Sequence, residues 1–360
     1  MKTFHCTHCE NLVVFENARC LNCEHLLAYL ADDGMLAALE QGPDGLWRSN
    51  AKGLEGRSFR LCVNYAQENI CNWAVPADDP EALCRSCRLT RVIPDLSVAG
   101  NRTAWFRLEL AKRRMMYDLL KLRLPVAPKT AEGPEGLAFE LKENSRSGDA
   151  ERVLTGHDNG LITINIDEAD DVQRETQRTL QREPYRTLLG HFRHEIGHYY
   201  WDRLIQNSPR LDAFRALFGD ERADYQAALN THYQNGPPAQ WETQFISAYA
   251  TMHPWEDWAE SWAHFLHMAD ALETAGAAGL SIKPKRSDEP EMRAPVDPSK
   301  PLHENFDRMV EAWLPLTYVL NNFSRGLGLA DSYPFVLSTP VIDKLRFIHE
   351  TISENYRAPR

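Results

Sequence analysis

Apolar residues recur at three- and four-residue spacing from Tyr185 to Ile205, where Leu188, Leu189, Phe192, Ile196 and Tyr199 or Tyr200 predict one face of a helix. Pro184 sits near its start, where a missing N–H costs nothing. A second amphipathic helix is predicted from Thr103 to Leu122, with Trp105, Leu108, Met115, Leu119 and Leu122 facing inward. Its Lys112-Arg113-Arg114 cluster reads as a solvated face. Residues 88–101, punctuated by Pro94 and Gly100, read as a linker, and Pro125–Gly136 as a loop. Strands are predicted at Leu137–Leu141, Arg152–Thr155 and Leu161–Ile166. The last of these alternates strongly and is bounded by Asn159-Gly160 and Asp167.

Further along, a turn at Phe218–Arg222 starts a helix running toward Tyr233, with Asp220 and Glu221 as its cap and dipole partners. Pro254 marks another helix start inside Ser247–His267. Residues 274–301 read as a mobile loop or insert. Helical patterns resume at Phe306–Asn322, where Pro315 predicts a kink or break, and at Ile342–Ile352.

Composition narrows the class. A chain of 360 residues with 43% hydrophobic and 25% charged residues suggests soluble globular protein in two domains, one of them small. No apolar run reaches the roughly 18 residues that would span a membrane. The N-terminal stretch MKTFHCTHC has no apolar core of a signal peptide, so the expected location is the cytoplasm. A formal charge of −11 disfavours non-specific contact with nucleic acid or an anionic membrane.

All eight cysteines precede residue 90. Cys6, Cys9, Cys20 and Cys23 form two C-x2-C knuckles ten residues apart, a spacing that suits a zinc ribbon. Cys62, Cys71, Cys84 and Cys87 contain one proper knuckle and a looser half. They read either as a second closed structural zinc site or as buried thiols. Residues 1–100 carry 9 Lys+Arg against 13 Asp+Glu, so a nucleic-acid face lacks electrostatic support. Stabilisation, with contact to a protein partner or substrate, is the expected role of the ribbons.

The reactive chemistry is expected in His194-Glu195-Ile196-Gly197-His198. Histidines four apart project from one side of a helix and can converge on one ion, and Glu195 lies within reach of a metal-bound water. Gly197 leaves the facing wall free to approach. A catalytic zinc site needs a third protein ligand. Glu256 and Glu260, four apart among Trp255, Trp258, Trp262 and Phe265, are the candidates. One would ligate while the other fixes a histidine tautomer. Glu256 is the preferred ligand, with the reverse assignment open and His253, His264 and His267 as rivals.

H-E-x-x-H on one helix, followed by E-x-x-x-(D/E) on a second, resembles the gluzincin class of zinc metallopeptidases. Tyr249, seven residues before Glu256, is similar to the tyrosine of lethal-factor-type peptidase domains. The whole chain resembles a family of zinc-binding metallopeptidases with an N-terminal zinc ribbon. In such peptidases a sheet strand borders the cleft and pairs with extended substrate; Leu161–Ile166 is the candidate, and an ordinary core strand is the other reading. Carried over, the resemblance implies His194, His198 and Glu256 as zinc ligands, Glu195 as general base, Tyr249 as oxyanion donor and Glu260 behind a ligand histidine.

The expected protein is therefore α+β, with a zinc-ribbon region at 1–95 and a gluzincin-like metallopeptidase domain at 96–360. It would hydrolyse peptide bonds of a peptide or protein substrate through a zinc-activated water, using one catalytic and one or two structural zinc ions. A DNA-associated protease and a non-catalytic, zinc-stabilised binding scaffold are the alternatives. The acidic ribbon half weighs against the first.

Overall fold

Short strands and cysteine knuckles occupy the first hundred residues, where apolar runs are cut by cysteine pairs and by polar turns such as Asp32-Asp33-Gly34. The computed structural model describes residues 1–131, 133–144, 153–174, 187–286, 294–295 (backbone only) and 305–355. Packing divides the chain into two units, one of Thr3–Asp170 and one of Met1–Lys2 with Asp171–Arg360. The architecture is mixed α+β.

In the first unit, β1 (Phe4–His5) and β2 (Leu12–Val13) form the two-stranded ribbon. Next comes a closed barrel of β3 (Leu26–Leu30), β4 (Met35–Gln41), β5 (Trp47–Arg48), β6 (Phe59–Leu61) and β7 (Trp73–Pro76). Its pairings are antiparallel except for β3 with β7. The short helix α1 (Val63–Ala66) interrupts it. Helix α2 (Asn101–Lys121) buries Trp105, Leu108, Met115, Leu119 and, just past its end, Leu122, as the spacing predicts. Its Tyr117 ring packs 5.5 Å from Phe15, joining a cluster with Phe4, Tyr29 and Trp73.

Two expectations fail here for one reason. Residues 88–101 are not a plain linker, because Thr90–Val92 forms β8 at the edge of a four-stranded sheet. Lys112 and Arg113 are not solvated: their relative exposures are 0% and 2%. Lys112 Nζ lies 2.8 Å from Glu109 Oε1, which accepts a 2.7 Å hydrogen bond from the Thr90 hydroxyl of β8, while Arg113 donates to the Ile70 carbonyl at 2.7 Å. Burying such charges is tolerated only with partners of this kind. The partners come from elsewhere in the chain.

The sheet runs β10 (Gly156–Asp158), β11 (Leu161–Asn165), β9 (Ala138–Lys142), β8. The strand predicted at Arg152–Thr155 is displaced to Gly156–Asp158, and Arg152 lies outside the described residues. Strand β11 is hydrogen-bonded on both sides, antiparallel to β10 and parallel to β9. Its backbone groups are already paired, so it has no edge to offer an extended substrate, and the core-strand reading holds.

The second unit is helical: α3 (Leu188–Leu204), α4 (Leu211–Phe218), α5 (Tyr225–Asn235), α6 (Pro254–Ala277), α7 (Phe306–Gly326) and α8 (Thr339–Glu354). Helix α6 is central, with α3, α4, α7 and α8 packed on it. Thr187 caps α3 by accepting the Gly190 N–H at 2.9 Å, and Pro184 lies outside the described residues. Asp224, not Asp220 or Glu221, caps α5; Asp220 pairs with Arg222, and Glu221 with Arg215 at 2.5 Å. Helix α7 continues through Pro315 without a break. The segment expected to be a loop from 274 begins as the last turn of α6, and residues 287–293 and 296–304 lie outside the described residues. Among the described residues no helix is long and apolar enough to cross a membrane.

Candidate metal centre

Helices α3 and α6 cross closely because Gly197 has no side chain. A Cβ built there would lie 3.0 Å from Ala259 Cα and 3.2 Å from Trp262 Cβ. The indole of Trp258 donates to the Gly197 carbonyl at 2.9 Å, fastening the crossing. Tyr200 stacks on Trp262 at 4.9 Å beneath it. The glycine expected to leave the facing wall free to approach does so, and that wall is α6. Gly197→Ala should force them apart and lower stability by about 1–3 kcal/mol, the usual cost of overpacking; urea unfolding of parent and variant measures it.

At this crossing three donor groups converge. His194 Nε2 lies 3.3 Å from His198 Nε2 and 3.0 Å from Glu256 Oε2, and His198 Nε2 lies 3.5 Å from Glu256 Oε1. Zinc bonds of about 2.05 Å in a tetrahedron place donor atoms about 3.3 Å apart. The donor set therefore fits a zinc ion in both chemistry and spacing.

Around it, the other carboxylates take distinct positions. Glu260 Oε1 lies 2.7 Å from His194 Nδ1, on the side of the ring away from Glu256, and its Oε2 accepts the Ser247 hydroxyl at 2.6 Å. Glu195 is 8% exposed and its Oε2 is buried without a hydrogen-bond partner. Burial pushes the Glu195 carboxyl above its usual range. Burial acts the same way on Glu256 and Glu260, but the histidines outweigh it. His198 and His194 hold Glu256 well below the carboxylate range, and the His194 hydrogen bond holds Glu260 at about 2. Conversely, burial would lower His194, yet Glu256 and Glu260 raise it well above the usual imidazole value. Two buried carboxylates and a third that is half-buried, around two imidazoles, make a centre that favours a cation.

The tyrosine picked from the sequence lies at the same place. The Tyr249 ring is 6.0 Å from the His194 ring, and burial, with Glu256 and Tyr225 near, pushes its hydroxyl well above the ordinary phenol range. Tyr225, from α5, escaped the sequence reading: its hydroxyl donates to Glu256 Oε1 at 2.9 Å. No spacing rule ties it to the histidine helix, so only the packing of α5 reveals it.

In the first unit, each cysteine quartet brings its four sulfurs within 4.8 Å of one another. Cys6–Cys23 and Cys9–Cys20 are 3.6 Å apart, and Cys71–Cys84 3.8 Å. Tetrahedral zinc with bonds of about 2.3 Å separates its sulfurs by about 3.8 Å. Both quartets fit.

Residues 101–351 match the model of a family described as "Putative zinc-binding metallo-peptidase", and residues 3–98 match a zinc-ribbon domain. The chain belongs to this metallopeptidase family. The chain is similar to uncharacterised proteins of Mycobacterium bovis and of two Mycobacterium tuberculosis strains. Each is 42% identical over 355 residues, covering 98% of this chain and 96% of its own. No solved structure matches.

In this chain the rival histidines have other partners. His264 Nδ1 lies 2.9 Å from the Tyr333 hydroxyl, and His267 Nδ1 lies 2.5 Å from Arg193. His253 caps α6 by accepting the Trp255 N–H at 3.1 Å, with its Nε2 3.1 Å from the Ala223 carbonyl. Asp257, next in the chain after Glu256, is fully buried and paired with Lys344 of α8 at 2.6 Å.

Proposed function

We propose that the chain is a zinc-dependent peptidase in which His194, His198 and Glu256 hold the ion and Glu195 is the general base. The observation that carries this reading is the convergence of three donor atoms spaced for zinc, with Glu195 next in the chain to His194 and its Oε2 buried without a hydrogen-bond partner. Zinc held there supplies Lewis-acid chemistry and makes water acidic enough to react near neutral pH.

The chain's own groups do the rest. Glu195 takes the proton from the attacking water and delivers it to the leaving amine. Its burial makes it a stronger base than an exposed carboxylate, so it can hold that proton between the two transfers. The Tyr249 hydroxyl, protonated throughout because burial raises it, is the donor for the developing oxyanion. Glu260 accepts from His194 Nδ1–H, which leaves Nε2 as the ligating nitrogen. The substrate is a peptide or protein.

The test is hydrolysis of a peptide library, read by mass spectrometry, together with zinc content. His198→Ala should abolish cleavage and remove one zinc per chain, leaving metal held by the cysteines. Equal zinc in variant and parent would sink the assignment. Tyr225→Phe should keep the fold but weaken zinc retention about 10- to 100-fold, because Glu256 loses the partner that holds one of its oxygens; competition with a chelator measures this.

A further inference from the structure

A second group of nitrogen and oxygen donors joins the ribbon to the barrel, beside the first cysteine quartet and sharing no residue with either quartet. His8 lies between the two cysteines of the first knuckle, His25 follows the second knuckle by two residues, and Glu40 projects from β4 of the barrel. One donor atom from each falls within 4.8 Å of the others. The imidazoles of His8 and His25 stack with centroids 3.8 Å apart, and His25 Nε2 lies 2.9 Å from Glu40 Oε1.

The orientation of His25 is the informative detail. Its Nδ1 lies 3.2 Å from the Cys23 carbonyl. Donation from Nδ1–H to a backbone carbonyl is the usual arrangement behind a metal-ligating histidine, because it fixes the tautomer that presents an Nε2 lone pair. A neutral His25 would then direct that lone pair at a carboxylate oxygen. Two like electron-rich groups face each other at that distance only if a proton or a metal ion lies between them. The stacked second imidazole of His8 supplies what a proton would not need, a third donor.

We infer that His8, His25 and Glu40 form a separate binding site for a first-row divalent ion, with zinc as its ordinary occupant. Two imidazoles and a carboxylate are a donor set suited to such an ion. His8 and the Glu40 side chain are exposed, so side-chain rotation can draw the three donors to the spacing an ion requires. Four thiolates around a divalent ion also leave the neighbouring ribbon centre with net negative charge, which favours a second cation nearby. The ion would tie both knuckles to the barrel, beside the hydrogen bond from the Ala38 N–H to the Thr7 hydroxyl at 2.8 Å.

The experiment uses the full chain, freed of loosely held metal by brief dialysis against a weak chelator that leaves the cysteine-bound zinc in place. Zinc is then titrated against a competing indicator. The parent should take up one extra ion at micromolar zinc, and His8→Gln and Glu40→Gln should each weaken that uptake by about tenfold or more. His198→Ala should retain it, which separates this site from the proposed catalytic one. Glu40 lies outside the ribbon, so its variant stays informative if His8→Gln loses the cysteine-bound zinc. Uptake only at millimolar zinc, or uptake of equal strength in parent and Glu40→Gln, would overturn the site in favour of a His25 imidazolium paired with Glu40.

Discussion

Glu195→Gln should cut peptide hydrolysis by about a hundredfold to ten-thousandfold, the range that general acid–base groups supply, while zinc content stays that of the parent. The amide has nearly the shape of the carboxylate, and the Glu195 Oε2 it replaces has no hydrogen-bond partner to lose. Packing at the α3–α6 crossing is therefore kept, and so are the three donor groups. What goes is the capacity to take up and return a proton. Parallel measurement of cleavage and metal per chain checks both halves. A variant with the parent's cleavage rate would leave the zinc in place and remove peptide hydrolysis by this route.

Cys84→Ser should have the largest effect on folding. Cys84 is 2% exposed, and its sulfur sits 3.8 Å from that of Cys71 in a quartet that is buried throughout. Cys62 follows β6 directly and stands at the N-cap of α1, and Cys71 precedes β7 by two residues. A metal there would hold two barrel strands and the start of β8 together. Structural zinc of this type contributes about 10–16 kcal/mol in small peptides, more than the net stability of most domains. Serine is a poor replacement for the thiolate, so the barrel should lose its protection against limited proteolysis within Thr3–Asp170. A retained barrel with unchanged zinc would mean that these cysteines are a thiol core.

The candidate site was legible wherever its parts are set by local spacing. His194 and His198 share a helix face, as do Glu256 and Glu260, and the structure separates the two glutamates into one beside the donor atoms and one behind His194. Tyr225 was not legible, because its approach to Glu256 depends on how α5 packs. The knuckle of Cys6 and Cys9 is a local signal, whereas the barrel is closed by pairing β3 with β7 far along the chain, as in Tyr29 with Trp73. One local signal for it was missed: Leu26–Leu30 and Met35–Gln41 flank a turn at Asp33-Gly34, where Gly34 has φ of +60°. Lys112 and Arg113 misled for a related reason. A run of basic residues states a charge, but Glu109, Thr90 and the Ile70 carbonyl decide whether that charge meets water.

His194 is gripped from both ring nitrogens by residues one helical turn apart on α6, Glu256 at 3.0 Å and Glu260 at 2.7 Å. The two carboxylates work like the jaws of a calliper whose frame is a single turn of backbone. Rolling that helix about its axis carries both jaws together, so the ring would be released at its two ends at once. Natural variation in this stretch should accordingly preserve the four-residue interval before it preserves the identity of any residue enclosed by it.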